Sequence, residues 1–273
     1  MSTIEKIEDS LSPPSVSWEH LIELCEVGKT YQASDGMAVN AVETASAKIG
    51  QSEFVSILGP SGCGKSTLLM MIAGLLEPSQ GQIIFKGKPV VSPLRDFGVV
   101  FQDAVLLPWR NVVENVELPG EISGLNKIAR RDAAMSAIRM VGLSGFETKM
   151  PNELSGGMQQ RVAIARSLIL EPDLIIMDEP FGALDAMTRE QMNLELQAVS
   201  IASKATIVFV THSISEAAFL SDRVLVMTRR PSTIRDSIII DIPRPRSVDI
   251  ISSDLLGGYI SHLRQVLNSE KLI

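Results

Sequence analysis

The chain has 273 residues, with 25 Lys and Arg against 32 Asp and Glu, a net charge of −7, 21% charged residues and 45% hydrophobic residues. That balance is globular and excludes a disordered chain, while the acidic surplus argues against a general nucleic-acid binder, which presents a basic face. Two cysteines, Cys25 and Cys63, exclude a disulfide framework and Cys/His metal clusters and suit a reducing cytosol.

Residues 1–20 are polar, contain Pro13 and Pro14, and read as a loose tail ahead of the fold. The acidic residues there and the lack of an apolar stretch speak against a secretory signal or a transit peptide. From Leu21 onward short apolar runs alternate with helical patterns. The runs 54–58, 97–101, 174–177, 206–210 and 224–227 are strand candidates, several apolar on both faces as buried parallel strands are. Caps and periodicity predict helices over Lys65 to Ala73, closed by Gly74, and over Met158 to Leu170, closed by Pro172. The pattern is α/β with a mainly parallel sheet. Residues 103–154 interrupt it: they hold no convincing strand but predict a helix over Asn126 to Val141, with Ile128, Ala133, Ala137, Ile138 and Val141 on one side. After Asp241, the Pro243 to Arg246 segment reads as extended, and Ile250 to Leu267 as a terminal amphipathic helix. The longest apolar run, Leu68 to Leu76, falls far short of the roughly 20 residues of a membrane span.

Gly59-Pro60-Ser61-Gly62-Cys63-Gly64-Lys65-Ser66-Thr67 fits the phosphate-loop pattern G-x-x-x-x-G-K-[ST], between an apolar strand and a helix. Its glycines let successive backbone N–H groups point at phosphate oxygens, and the helix N-terminus adds positive potential. Lys65 would bridge the β- and γ-phosphates and the Ser66 hydroxyl would ligate Mg²⁺. Cys63 is expected as a small space-filler. Asp178 and Glu179 follow directly on a buried strand, at the end where α/β folds bind ligands. Asp178 can hold Mg²⁺, directly or through water, and Glu179 can orient or deprotonate the attacking water.

Ser155-Gly156-Gly157-Met158-Gln159 reads locally as a helix N-cap whose glycines expose N–H groups. The combination resembles the signature motif of ATP-binding cassette (ABC) ATPases, and further motifs match that family in order. Tyr31 resembles the adenine-stacking aromatic, Gln102 the Q-loop glutamine, Ala183-Leu184-Asp185 the D-loop and His212 the switch histidine. On its residues alone Tyr31 reads first as a half-buried strand aromatic, and only the resemblance makes it an adenine-stacking ring. Met158 departs from the family, which commonly has Gln there. The resemblance spans about Leu21 to Asp241. Leu106-Leu107-Pro108-Trp109, Arg230-Pro231 and Ile242 to Arg246 resemble the ATP-binding subunits of importers for nitrate, sulfonates and taurine; Ser232-Thr233 stands where those relatives often show a Gly.

The resemblance implies a RecA-like P-loop ATPase core over 21–102 and 155–242, an inserted α-helical subdomain over 103–154 and a C-terminal extension over 243–273. It implies a peripheral ATPase on the cytoplasmic face of the inner membrane that uses ATP and Mg²⁺. Two copies would sandwich the nucleotide and drive membrane permease subunits, with a solute-binding protein acting indirectly. Lys65, Gln102, Glu179 and His212 are the expected catalytic residues. Ser66, Gln102 and Asp178 would ligate the metal, and Ser155, Gly156, Gly157 and Asp185 would complete the partner's nucleotide site. Residues 102–118 are expected to form the permease groove, in which Trp109 is either an anchor or ordinary core. The rival class is a soluble ABC ATPase acting on DNA or ribosomes. Such proteins usually carry two cassettes or a long coiled coil, and 103–154 is too short for one. A fused C-terminal regulatory domain is not expected after Asp241.

Overall fold

The computed structural model describes residues 19–32, 37–95 and 97–269; the expected tail over 1–20 lies outside them apart from Glu19 and His20. The strands of the described residues are β1 (Ile22–Gln32), β2 (Ala38–Ile49), β3 (Phe54–Leu58), β4 (Gln80–Phe85), β5 (Lys88–Pro89), β6 (Phe97–Val100), β7 (Leu174–Asp178), β8 (Thr206–Thr211), β9 (Arg223–Met227) and β10 (Ser232–Ile239). They form one sheet in the order β5-β4-β1-β2-β10-β9-β3-β8-β7-β6. The helices are α1 (Lys65–Ile72), α2 (Val112–Ile122), α3 (Lys127–Met140), α4 (Gly156–Leu168), α5 (Ala186–Ser203), α6 (Ile214–Leu220) and α7 (Asp254–Asn268).

Every residue of β3 and β8 is buried. Because successive side chains point to opposite faces, Phe54 and Leu58 enter one apolar cluster while Val55 and Ile57 enter the other. Both faces are therefore covered, which is the environment of a parallel interior. The strands β9-β3-β8-β7-β6 are parallel throughout. The other half is mixed: β5-β4-β1-β2 are antiparallel, as are β10 and β9, while β10 pairs with β2 in parallel. Of these, β1 and β2 are long and half solvated, and register shifts between Leu24 and Val27 break the alternation that would mark them.

The helices differ from expectation at four points, the first being α7, which starts at Asp254 rather than at Ile250. α4 starts at Gly156, capped by Ser155, and stops at Leu168, two residues earlier at each end than expected. α2 escaped the sequence reading although Asn111 and Glu114 form a reciprocal capping box at its start. In α3 the buried face is Ala134, Ala137 and Ile138, whereas Ile128 is 76% exposed, since in the first turn it is Arg130 that faces Gly120 and Glu117 of α2.

Arg246 anchors the C-terminal segment. It is 3% exposed and donates to the carbonyls of Ala218, Phe219, Ser221, Ile240 and Ile242 at 2.7–3.4 Å. Three of those carbonyls close the end of α6, where a cation also meets the negative end of the helix dipole. Burial pulls its pKa down to about 10, so it stays cationic at neutral pH. Arg246→Ala is expected to leave five carbonyls short of a donor and to lower unfolding stability by about 3 kcal/mol or more in chemical denaturation. Arg246→Lys should recover only part of this, since an ammonium has three donors and no fork.

Candidate nucleotide site

The site is assembled by strand order. Five adjacent parallel strands end on one edge of the sheet, where ligands bind in open α/β sheets. β9 leads to Arg230, β3 to the 59–67 loop, β8 to His212, β7 to Asp178 and Glu179, and β6 to Gln102. Ser61, Gly62, Gly64, Lys65, Ser66 and Thr67 line a cleft of about 350 Å³ together with Gln102, Asp178, Glu179 and Arg230.

The loop has the backbone its glycines allow. Gly62 and Gly64 have φ of +76° and +115°, and a Cβ on Gly64 would come within 2.9 Å of the Ala41 carbonyl. Gly64 caps α1 without a side chain, so the first N–H groups of the helix face the cleft. Cys63 is buried. Lys65 is also buried, its Nζ donating to the Gly59 and Pro60 carbonyls at 3.1 Å. Tyr31 is 39% exposed, and its hydroxyl lies 3.4 Å from Thr67 Oγ1. The ring thus stands at the start of α1, with Lys29 Nζ 5.7 Å from its centroid.

Glu179 is the centre of the charged cluster. Its Oε1 lies 3.6 Å from Lys65 Nζ and its Oε2 2.9 Å from His212 Nδ1. A carboxylate only accepts, so this bond asks His212 to carry its proton on Nδ1. Glu179 sits at φ +46°, held by its N–H on the Val210 carbonyl and its carbonyl on the Gly182 N–H. A non-glycine residue in that region costs of order 1–3 kcal/mol, a strain that collects at functional sites. Next to it, Asp178 is hydrogen-bonded by Ser66; burial raises its carboxyl above the usual range, with the Ser66 bond acting against that rise.

A second cluster forms away from this cleft. Ser155 caps α4 by accepting from Met158 N at 3.3 Å. A Cβ on Gly156 would lie 3.7 Å from Leu184, and one on Gly157 2.9 Å from Thr188. Asp185 caps α5, accepting from Thr188 N and Thr188 Oγ1, and those bonds hold its carboxyl below the usual range. Residues 155–157 therefore pack against residues 184–188 and are not among those lining the cleft.

The ABC transporter family matches residues 42–182, half of the chain. The chain belongs to the ABC transporter family. An uncharacterised ABC transporter ATP-binding protein of Methanocaldococcus jannaschii is 46% identical over 234 residues, 86% of this chain and 85% of that protein. A taurine import ATP-binding protein of Rhizobium johnstonii is 46% identical over 214 residues, 78% of this chain and 82% of that protein. A solved structure described as the dimeric post-hydrolysis state of an ATP-binding cassette bound to ADP and Pi aligns with TM-score 0.71 at 33% identity. It covers 81% of this chain and 100% of its own. The chain is an ATP-binding ABC subunit, and its fold is that of a P-loop ABC ATPase cassette.

The cassette brings together Lys65, Ser66, Thr67, Gln102, Asp178 and Glu179 in one cleft, with Tyr31 and His212 attached through Thr67 and Glu179. It keeps Ser155, Gly156, Gly157 and Asp185 apart from them. Arg230 is the lining residue that motif reading missed as a site residue. Its signal is topological: β9 neighbours β3, so the turn after β9 falls beside the phosphate loop.

Proposed function

We propose that this chain is the ATP-hydrolysing subunit of an importer for a small anionic or zwitterionic solute such as taurine, a sulfonate or nitrate. The observation that carries it is the Lys65–Glu179–His212 cluster at the lip of the phosphate loop. The loop N–H groups and Lys65 hold the phosphates, with Tyr31 stacked on adenine. Ser66, Asp178 and Gln102 supply hard oxygen donors that fit Mg²⁺, which when bound neutralises phosphate charge. Phosphate oxygens reaching Lys65 replace Glu179 as its counter-ion, freeing that carboxylate to take a proton from water while His212 holds it in place.

The division of labour follows the domains. Residues 21–102 and 155–242 form the ATPase core, 103–154 the helical insert and 243–273 an extension. Ser155, Gly156, Gly157 and Asp185 would complete the site of a second copy. The permease would dock at the cytoplasmic face of the inner membrane on a groove of about 480 Å³ between β6, α2 and α4, lined by Phe101, Leu118, Pro119 and Ile122. Among the described residues no helix is long and apolar enough to cross a membrane, which leaves the crossing to that partner. Deleting the gene and comparing growth on taurine, alkanesulfonates and nitrate as sole sulfur or nitrogen source tests the cargo, and normal growth on all of them would discard it.

Trp109, 72% exposed, projects from a loop pinned by buried Asn115. The Asn115 amide accepts from Leu107 N and shares its two N–H donors among the Leu107, Arg110 and Asn111 carbonyls. Gln160 and Arg166 of α4 tie the same segment down through the Phe101, Ala104 and Val105 carbonyls. A rigidly presented aromatic is a typical interface anchor. Trp109→Ala is expected to cost about 2–4 kcal/mol of permease affinity, read as loss of co-purification, while the ATPase rate of the separate subunit is kept.

A further inference from the structure

Glu216, in the first turn of α6, is buried. A Ser-x-x-Glu spacing from Ser213 suggests an ordinary capping box, and Ser213 does accept from Glu216 N at 3.3 Å. The reciprocal bond is not made: Ser213 N donates to Thr211 Oγ1 at 2.9 Å instead. The carboxylate is used elsewhere. Thr211 Oγ1 donates to Glu216 Oε2 at 2.6 Å, and Thr211 directly precedes His212. Glu216 Oε1 lies 3.5 Å from Arg189 Nε, and Arg189 Nη2 donates to the Leu184 carbonyl at 2.7 Å. Arg189 Nε is buried with no hydrogen-bond partner among the described residues. It stands a few tenths of an ångström short of bonding to Glu216.

We propose that Glu216 is a positioning residue that, through Thr211 on one side and Arg189 on the other, couples the His212 loop to the 184–188 segment. A buried donor with an unmet bond costs about 1–3 kcal/mol, so closure of the Arg189–Glu216 contact favours a state in which Leu184 and Asp185 have moved toward His212. This rests on the two-chain reading above. There, His212 attends its own chain's nucleotide while 155–157 and 184–185 face the partner's. One carboxylate therefore joins a group of each site, and the state of the γ-phosphate at one site biases the geometry offered to the other. Burial raises the Glu216 carboxyl, against the Thr211 bond and the Arg189 charge, as expected of a carboxylate kept inside for what it holds.

The test is the steady-state ATPase rate of the purified full-length chain carrying Glu216→Gln, Arg189→Ala or both. Each single variant should lose about tenfold in kcat with the ATP KM within about twofold, and the double variant should be no slower than either, since both remove one contact. Thr211→Ser, which keeps the hydroxyl, should stay near the parent rate, and Thr211→Val should fall with Glu216→Gln. Equilibrium binding of a fluorescent ATP analogue should be unchanged throughout. Unchanged kcat in Glu216→Gln, losses that multiply in the double variant, or an equal loss of nucleotide affinity would each overturn the proposal. A parent chain without ATPase activity would remove the two-chain ATPase reading and this inference with it. An active parent with a fully active Glu216→Gln variant would remove this inference alone.

Discussion

Glu179→Gln is expected to lower ATP hydrolysis by about 10²–10⁴-fold, the usual range for removing a general base, and to convert the ATP-bound chain into a stable dimer. The amide is nearly isosteric and can still accept from His212 Nδ1, so the positive-φ turn and the His212 contact survive. What disappears is the negative charge 3.6 Å from Lys65. In its absence Lys65 loses that counter-ion and the γ-phosphate meets one carboxylate fewer, so ATP affinity should rise while turnover falls. Gel filtration with and without MgATP, beside a phosphate-release assay, reads both effects. A variant that remains monomeric with saturating ATP even when the permease is present would overturn the sandwich. A variant that turns over normally would move the base elsewhere in the cleft.

Much of this site was legible because its chemistry is local in sequence. The 59–67 loop, the Asp178-Glu179 pair after an apolar strand and the Ser155-Gly156-Gly157 cap each carry their signal within ten residues. The parallel strands were equally clear, since β3, β7 and β8 are apolar on both faces. The antiparallel half was not, because β1 and β2 carry charged residues on a solvated face and their bulges spoil the alternation. The same limit hid the long-range groups. Arg230 reaches the cleft only because β9 lies beside β3, and Glu216 meets Arg189 across 27 positions of chain. Neither contact has a spacing that a sequence window could register. Ile128 failed in the opposite sense: its periodicity fits the buried stripe of α3, but it is 76% exposed, while Arg130 in the same turn is the residue that meets Gly120 and Glu117 of α2.

The separation of the two clusters has a direct test in mixed dimers. Lys65→Ala removes the buried cation that the loop carbonyls hold at the phosphate end of the cleft. Ser155→Arg puts a bulky cation where the signature cluster should receive the partner's γ-phosphate, and it also forfeits the cap on α4, at about 1 kcal/mol. Each protein alone should be nearly inactive, because in a homodimer both sites carry the lesion. Mixed in equal amounts, half of the dimers are heterodimers in which one site carries both lesions and the other carries neither. Recovery of about a quarter of the parent ATPase rate is therefore expected if the sites act independently in a two-fold assembly, and less if they are coupled through Glu216. Removing that coupling with Glu216→Gln in both chains should bring the recovered fraction, relative to a Glu216→Gln homodimer, back toward a quarter. Full activity of Ser155→Arg by itself would show that residues 155–157 complete no site, and the cleft around Lys65 would then have to be sufficient within one chain.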